Sequence, residues 1–122
     1  VEPTGAPTIH TALQAGHPLR LENIRTIADS LSAPIAMPYS FALIQKYVDD
    51  IVLLSDDDMR KGMHFLFNEM KLVAEPACAA PVAALLGPLR GRLAGKRVGI
   101  LACGSNLDIA VFAKEVFQAQ LS

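Results

Sequence analysis

The sequence predicts an α/β domain built on a parallel sheet with crossover helices. Short apolar runs that favour β-structure alternate with longer segments whose apolar residues recur every three or four positions. In chain order these segments read β-α-β-α-α-β-α, and a strand, a helix and a second strand in succession typically form a parallel pair. The composition is globular and apolar, with 52% hydrophobic residues, 19% charged residues and a mean hydropathy of +0.33, which indicates a surface that packs against something else.

The first part of the chain predicts little regular structure. Residues 1–40 are rich in Pro, Gly and Thr, which favour turns, so we expect a strand end, loops and a crossover, with a short helical patch at 9–15. The pattern becomes helical at 39–48, where apolar residues recur at spacings of three and four. Residues 51–54 form a short apolar run that predicts a buried strand.

A long helix is predicted to begin after Ser55. Ser55 and Asp58 have the spacing of a capping box, and the acidic residues 56–58 favour the positive end of a helix dipole. The apolar residues that follow recur at spacings of four and three and predict one buried stripe, formed by Met59, Met63, Leu66, Met70 and Val73. The later elements are a helix at 77–86, a basic loop at 90–96, a strand at 98–102, a turn at 103–106 and a last helix at 108–118.

The totals argue against several classes of protein. A net charge of −1 does not indicate a binder of nucleic acid or of anionic membranes, and no apolar run approaches the roughly 20 residues of a membrane span. The two cysteines, Cys78 and Cys103, lack metal-site spacing and make no disulfide framework, which favours a reducing cytoplasm. No signal-peptide pattern is seen. Because the chain begins at Val1 within a motif, we expect residues 1–122 to be one piece of a longer protein.

The best site signal is the strand, turn and helix predicted across 97–108. Ligands of open α/β sheets bind beyond the carboxyl ends of strands, and residues 103–106 follow such an end. Gly104 would let the backbone approach a flat ligand, and Cys103 would present a sulfur that is a weak donor and acceptor. A small buried cysteine in a routine turn is an equally good interpretation. The phosphate-loop pattern G-x-x-x-x-G-K-[ST] is absent.

Two carboxylates stand in unusual settings. Glu75 lies between apolar segments, although glutamate is rarely buried without a partner. It is either a functional acid or, as the residues favour, a first-turn carboxylate of the following helix. Glu2 could ligate a hard cation together with backbone carbonyls, but a structural turn is the favoured interpretation. The histidines are scattered and offer no convincing base or ligand.

Four motifs together resemble the C-terminal half of pyridoxal-phosphate-dependent serine/threonine dehydratases of fold type II. In that family's order and spacing, the chain carries Val1-Glu2-Pro3, like the family's "VEP" strand end, Thr26-Ile27-Ala28-Asp29, like "TIADG", Lys71-Leu72-Val73-Ala74-Glu75-Pro76, like "KLxxEP", and Cys103-Gly104-Ser105-Asn106-Leu107-Asp108, like "SGGNxD". No single motif is strong, but all four in sequence are highly specific. Ser30 stands where the family usually has glycine.

The resemblance implies that residues 1–122 are the C-terminal portion of a catalytic domain, with α/β architecture from the large domain of such an enzyme. Cys103 would face the pyridine nitrogen of the cofactor, Gly104 would lie beside the ring, Ser30 would line the pocket and Glu75 would lie in its wall. The family's Schiff-base lysine and glycine-rich phosphate loop belong to the N-terminal half. No lysine here has the "SxKxRG" context, so we assign no catalytic residue to this chain and expect that half as its partner.

A divalent metal is a weaker implication of the resemblance. Some relatives hold Mg²⁺ or Ca²⁺ with a glutamate, an alanine carbonyl and an aspartate, which map to Glu2, Ala6 and Thr8. Threonine replaces the aspartate, and affinity in oxygen sites follows ligand charge. We therefore expect no strong metal site.

The activity implied is deamination of L-threonine, L-serine or a related β-hydroxy amino compound to a 2-oxo acid and ammonia, with pyridoxal phosphate as the electron sink. A racemase on the same scaffold and a non-catalytic α/β binding module are the alternatives. We expect a small amino-acid substrate, a homo-oligomer and an isolated chain that is inactive. Because the chain ends at Ser122 with no regulatory domain, a catabolic enzyme is favoured.

Overall fold

The computed structural model describes residues 1–119, and the predicted parallel pairing is present at its amino terminus. The elements are β1 (Glu2–Pro3), α1 (Thr8–Ala15), α2 (Pro38–Tyr47), β2 (Leu53–Leu54), α3 (Asp56–Met70), α4 (Pro76–Leu86) and α5 (Ile109–Ala119), with a single 3-10 turn at Asp29–Leu31. β1 pairs with β2 in parallel, Glu2 opposite Leu53 and Pro3 opposite Leu54. The helix predicted at 108–118 corresponds to α5, which extends to the last described residue, and residues 120–122 lie outside the described part of the chain.

β2 is shorter than the predicted strand at 51–54. The N–H of Glu2 donates to the carbonyl of Val52 at 2.9 Å, and the N–H of Thr4 donates to Leu54 at 2.8 Å. Between them stands Pro3, which has no N–H to extend the ladder. The chain then turns at once, with the N–H of Ala6 bonded to the Pro3 carbonyl, so only two residues of each strand can pair.

α3 begins as predicted, through a complete capping box. The N–H of Asp58 donates to the Ser55 hydroxyl at 3.1 Å, and the Asp58 carboxylate accepts the Ser55 N–H at 2.9 Å. These two bonds satisfy backbone donors that the first turn leaves unpaired. None of the helices within 1–119 has both the length and the apolar character that a membrane span requires.

The core lies where α4 and α5 pack on α3. α4 is rich in alanine, and Gly62 of α3 faces it so closely that a Cβ at Gly62 would lie 2.7 Å from the Ala79 carbonyl oxygen. α5 is joined to α3 by Arg60, whose Nε lies 2.6 Å from the buried carboxylate of Glu115. Burial lowers the pKa of Arg60, but its hydrogen bonds to Glu115 and Asp57 outweigh burial, so the pKa is raised above its ordinary value.

The predicted apolar stripe on α3 is correct for its first three members and wrong for its last two. Met59, Met63 and Leu66 are buried, whereas Met70 and Val73 are 58% and 41% exposed. The helix ends at Met70, because Lys71 adopts a left-handed backbone with φ of 58°. Beyond that point helical periodicity no longer sets which side chain faces the core.

The predicted strand at 98–102 is not formed, and this corrects the predicted element order. Among the described residues no backbone hydrogen bond reaches this segment, and the side chain of Leu101 is 78% exposed. Strand structure requires a neighbouring strand to accept its hydrogen bonds. Residues 1–119 provide the β1–β2 pair and an isolated antiparallel bridge between Arg20 and Ile35, and this segment joins neither. Residues 103–106, predicted as a turn, also have no regular secondary structure.

Candidate functional site

Two of the predicted site residues meet at the start of α4. The N–H of Glu75 donates to the carbonyl of Gly104 at 3.2 Å. A Cβ added at Gly104 would fall 2.3 Å from Oε1 of Glu75, well inside van der Waals contact. The Glu75 side chain thus occupies the space that a side chain at residue 104 would need, and only glycine allows the present carboxylate position.

A small cavity of about 90 Å³ adjoins this contact. It is lined by Ile27, Asp29, Ser30, Glu75, Pro76, Ala77, Asn106 and Leu107. Ser30 and Glu75, which stand 45 positions apart in the sequence, are therefore brought to one cavity as the resemblance implied. Asp29 and Asn106 add a carboxylate and an amide to its wall. The sequence signal for both is their place in the motifs at 26–29 and 103–108.

Cys103 lies in a second, larger cavity on the other side of the Glu75–Gly104 contact. This cavity has a volume of about 330 Å³ and is lined by Leu66, Leu72, Val73, Ala74, Cys78, Ala102, Cys103, Gly104 and Ser105. Cys103 is exposed, whereas Cys78 is buried in the core. The interpretation of a small buried cysteine therefore applies to Cys78, not to Cys103.

The loop that carries Ser30 is tied to α3 by Asp56. The Thr26 hydroxyl donates to Oδ1 of Asp56 at 2.7 Å, and the N–H of Ile27 donates to Oδ2 at 3.2 Å. The Thr26 hydroxyl also accepts the N–H of Ala28 at 3.1 Å. From the sequence, Asp56 was assigned only to the helix dipole. Its contact spans 30 positions, and no local pattern signals such a distance.

The residues mapped to a metal site are engaged in other contacts. The two carboxylate oxygens of Glu2 accept the N–H groups of Ile9 and His10 at 2.7 and 2.8 Å, in the first turn of α1. The Thr8 hydroxyl donates to the Ala33 carbonyl, and Ala6 is fully buried. Within 1–119 no group of three or more His, Cys, Asp and Glu side chains is arranged to hold a metal ion. Glu2 therefore stabilises the start of α1.

The two cavities fit part of a pyridoxal phosphate molecule. They offer a thiol, hydroxyls, an amide and carboxylates, which suit one face and edge of a heteroaromatic ring. No lysine or arginine lines either of them. A phosphate requires cationic side chains or a row of backbone N–H groups, so these residues fit the ring and not the phosphate.

The chain has an α/β fold with two cavities that meet near the start of α4, and comparison with known proteins identifies its class. Residues 1–104 match the profile of the pyridoxal-phosphate-dependent enzyme family. The match covers most of the chain, and this protein belongs to that family. Its cofactor is pyridoxal phosphate.

Individual relatives agree on this class. The chain is 47% identical over 116 residues to phenylserine dehydratase from Ralstonia pickettii, covering 95% of the chain and 36% of that protein. The structure of threonine deaminase isoform 2 from Solanum lycopersicum superposes with a TM-score of 0.91 and 25% identity, over 99% of this chain and 34% of that one. The structure of maize serine racemase superposes with a TM-score of 0.82 and 25% identity, over 96% of this chain and 38% of that one. The chain thus has the fold of type II enzymes and spans about a third of the length of these relatives.

Proposed function

We propose that this chain forms one wall of the cofactor cleft of an ammonia-lyase, which converts a β-hydroxy amino acid to a 2-oxo acid and ammonia. The observation that carries the proposal is the Glu75–Gly104 contact. It joins two motifs that are distant in sequence and places Ser30 and Glu75 on one cavity, with Cys103 beside it. The family match supplies the cofactor for which such a wall is suited.

The roles of the residues follow from their chemistry. When bound, pyridoxal phosphate supplies an electron sink for loss of the α-proton and the β-hydroxyl. Cys103 would lie at the ring nitrogen. A thiol is only a weak donor and acceptor, so Cys103 would not hold that nitrogen protonated as a carboxylate would. This limits the stability of negative charge at the α-carbon and favours prompt loss of the β-hydroxyl over side reactions.

Other residues of the wall position the ring and exclude water. Ser30 and Glu75 close the edge of the pocket, and Gly104 leaves the space that the Glu75 carboxylate occupies there. A further polypeptide segment would supply the lysine and the phosphate contacts, because the cavities described contain no cationic side chain. We propose that this segment belongs to the same longer protein, that the enzyme is a cytoplasmic homo-oligomer, and that it works without a tightly bound metal.

The substrate class is a small β-hydroxy amino acid. L-Threonine and L-serine fit the reaction, and the 47% identity to phenylserine dehydratase adds a β-phenyl group to the candidates. A racemase is the second candidate, supported by the similarity to maize serine racemase. Both reactions begin with loss of the α-proton, and they differ in whether the β-hydroxyl then leaves or a proton returns to the opposite face.

The deciding experiment uses the full-length protein that contains this chain, loaded with pyridoxal phosphate. L-Threonine, L-serine and L-threo-phenylserine are supplied in turn, and 2-oxo acid and D-amino acid are measured in the same samples. We expect 2-oxo acid and ammonia in equal amounts, well above any D-amino acid. D-Serine as the main product would support the racemase. Tight cofactor binding without either product would support a non-catalytic binding module instead.

A further inference from the structure

We propose that Asp56 is a positioning residue of the cofactor pocket. It holds the loop at 26–30 so that Ile27 and Ser30 form one wall of the cavity that Glu75 and Asn106 close from the other side. The inference rests on the proposed function, because it assigns Asp56 a role in cofactor binding.

The geometry gives each oxygen of Asp56 one partner in the loop. Oδ1 accepts the hydroxyl proton of Thr26 at 2.7 Å, and Oδ2 accepts the N–H of Ile27 at 3.2 Å. The Thr26 oxygen then accepts the N–H of Ala28. One carboxylate thereby fixes three consecutive residues. The next residues form the single 3-10 turn that presents Ser30.

Asp56 is not needed to begin its own helix. The capping box of α3 is formed by Ser55 and Asp58, and Asp57 pairs with Arg60 at 2.5 Å. The three consecutive aspartates therefore have three different partners. Of these three carboxylates, that of Asp56 bonds to the loop at 26–30, while the Ser32 hydroxyl donates to the Asp29 carbonyl at the end of the 3-10 turn.

Other anchors of the loop act at its margins. The N–H of Arg25 donates to the carbonyl of Gly5 at 3.0 Å, which fixes the upstream end. Ala28 is fully buried and packs beside Met59 in the core. Between these anchors, the direction of the Ile27 backbone depends on Asp56. Ile27 lines the cavity, so release of its N–H loosens the wall without unfolding the core.

The test compares Asp56→Asn with Asp57→Asn in the full-length protein. Both changes remove one negative charge from the first turn of α3, but only the first disturbs the loop. Measured quantities are the hydrogen-exchange rates of the Ile27 and Ala28 amides, the dissociation constant for pyridoxal phosphate and the KM and kcat of the reaction. Thr26→Val removes the loop side of the contact, and Thr26→Ser restores a hydroxyl.

For Asp56→Asn and Thr26→Val we expect exchange at Ile27 to accelerate about tenfold and cofactor affinity to fall about tenfold, the effect of losing one hydrogen bond to a charged group. Asp57→Asn should change the exchange rate at Ile27 and the cofactor affinity by no more than about twofold, since surface ion pairs contribute little to stability. Thr26→Ser should regain most of the affinity. A double variant, Thr26→Val with Asp56→Asn, should lose more cofactor affinity than either single variant but less than the two losses combined, because the two bonds hold the same loop.

Three outcomes would overturn the inference. If Asp56→Asn accelerates exchange at Ile27 but leaves cofactor affinity unchanged, Asp56 holds the loop but the loop does not contribute to cofactor binding. Equal losses in Asp56→Asn and Asp57→Asn would assign the effect to helix charge. Unchanged exchange at Ile27 would show that Asp56 does not hold the loop. Failure of the unaltered protein to bind pyridoxal phosphate would instead reject the proposed function, while the exchange rates would still report on the loop.

Discussion

Gly104 is the residue whose identity the pocket restricts most clearly. A Cβ at this position would overlap the Glu75 carboxylate, which is the free end of a flexible side chain. We expect Gly104→Ala to move Glu75 out of the cavity and weaken cofactor binding, while the free energy of unfolding falls by only about 1 kcal/mol. Cofactor titration and thermal unfolding of the full-length variant measure the two effects.

Gly91→Ala, in the exposed basic loop, is the control for that change. No atom lies within 4 Å of a Cβ built at Gly91, so this variant should bind cofactor as the unaltered protein does. If Gly104→Ala binds pyridoxal phosphate with unchanged affinity, the Glu75–Gly104 contact has no part in the site.

Cys103 is expected to tune the cofactor. Replacement by aspartate would place a carboxylate where a weakly polar thiol stands, and a carboxylate favours a protonated ring nitrogen. Cys103→Asp should therefore shift the absorption spectrum of the holoenzyme and increase side reactions relative to elimination. Cys103→Ser, which keeps a neutral group, should change both much less. An unchanged spectrum and turnover in Cys103→Asp would mean that Cys103 only packs.

The contacts of Glu2 lead to a prediction about metals. Both of its carboxylate oxygens are occupied by backbone N–H groups of α1, and Thr8 brings no second charge. We expect the activity of the full-length enzyme to survive EDTA, whereas Glu2→Gln should lower the free energy of unfolding by about 1 kcal/mol through weaker capping. Strong inactivation by EDTA that Mg²⁺ reverses would contradict this account.

At the residue scale, the motifs direct attention to Ser30, Glu75 and Cys103, and their roles at the cofactor stay predictions. The sequence was not enough to find the role of Asp56, whose partners lie 29 and 30 positions away. Nor could it decide how Glu75 is used. Glu75 is the N-cap of α4 and not a first-turn residue, and its side chain makes no capping hydrogen bond, so the first-turn interpretation is wrong. Its side chain lines the cavity instead, and a role as a functional acid stays a prediction.

Among the elements, the contact between α3 and α4 depends on Gly62. Alanine is the better helix former by about 1 kcal/mol, but its Cβ would lie 2.7 Å from a backbone oxygen of α4, which cannot move as a side chain does. We expect Gly62→Ala to lower the free energy of unfolding by about 1–3 kcal/mol. Denaturant titration measures this, with Gly91→Ala, where a Cβ meets open space, as the control. Equal stability of the two variants would show that α3 and α4 can separate freely.

The helices and the strand at 53–54 were predictable from local signals, whereas the outcome at 98–102 was not. The capping box at Ser55 and the proline and glycine that flank α4 place helix ends within a few residues. A strand depends on its neighbour, so the pattern at 98–102 predicts a strand that residues 1–119 do not complete. The exposure of Met70 was also not predictable from apolar spacing, because the left-handed backbone of Lys71 ends α3 at that residue.

On the scale of the whole molecule, large apolar side chains are left in solvent. Tyr39, Ile109 and Leu101 are between 71% and 78% exposed, and the segment at 98–102, which contains Leu101, makes no backbone hydrogen bonds within the described residues. Exposed apolar area of this kind marks surfaces that bind another protein surface. We therefore expect the isolated chain to self-associate in sizing experiments, as the apolar composition predicted.

The central claim is that this chain holds one wall of a pyridoxal phosphate site and cannot complete the site alone. The direct test is to mix the purified chain with pyridoxal phosphate, remove unbound cofactor by gel filtration and record the visible absorption spectrum. We expect no stable band from a lysine-linked cofactor, because neither cavity has a lysine and one wall cannot exclude water from the ring. A stable band, accompanied by 2-oxo acid formed from L-threonine or L-serine, would contradict the account.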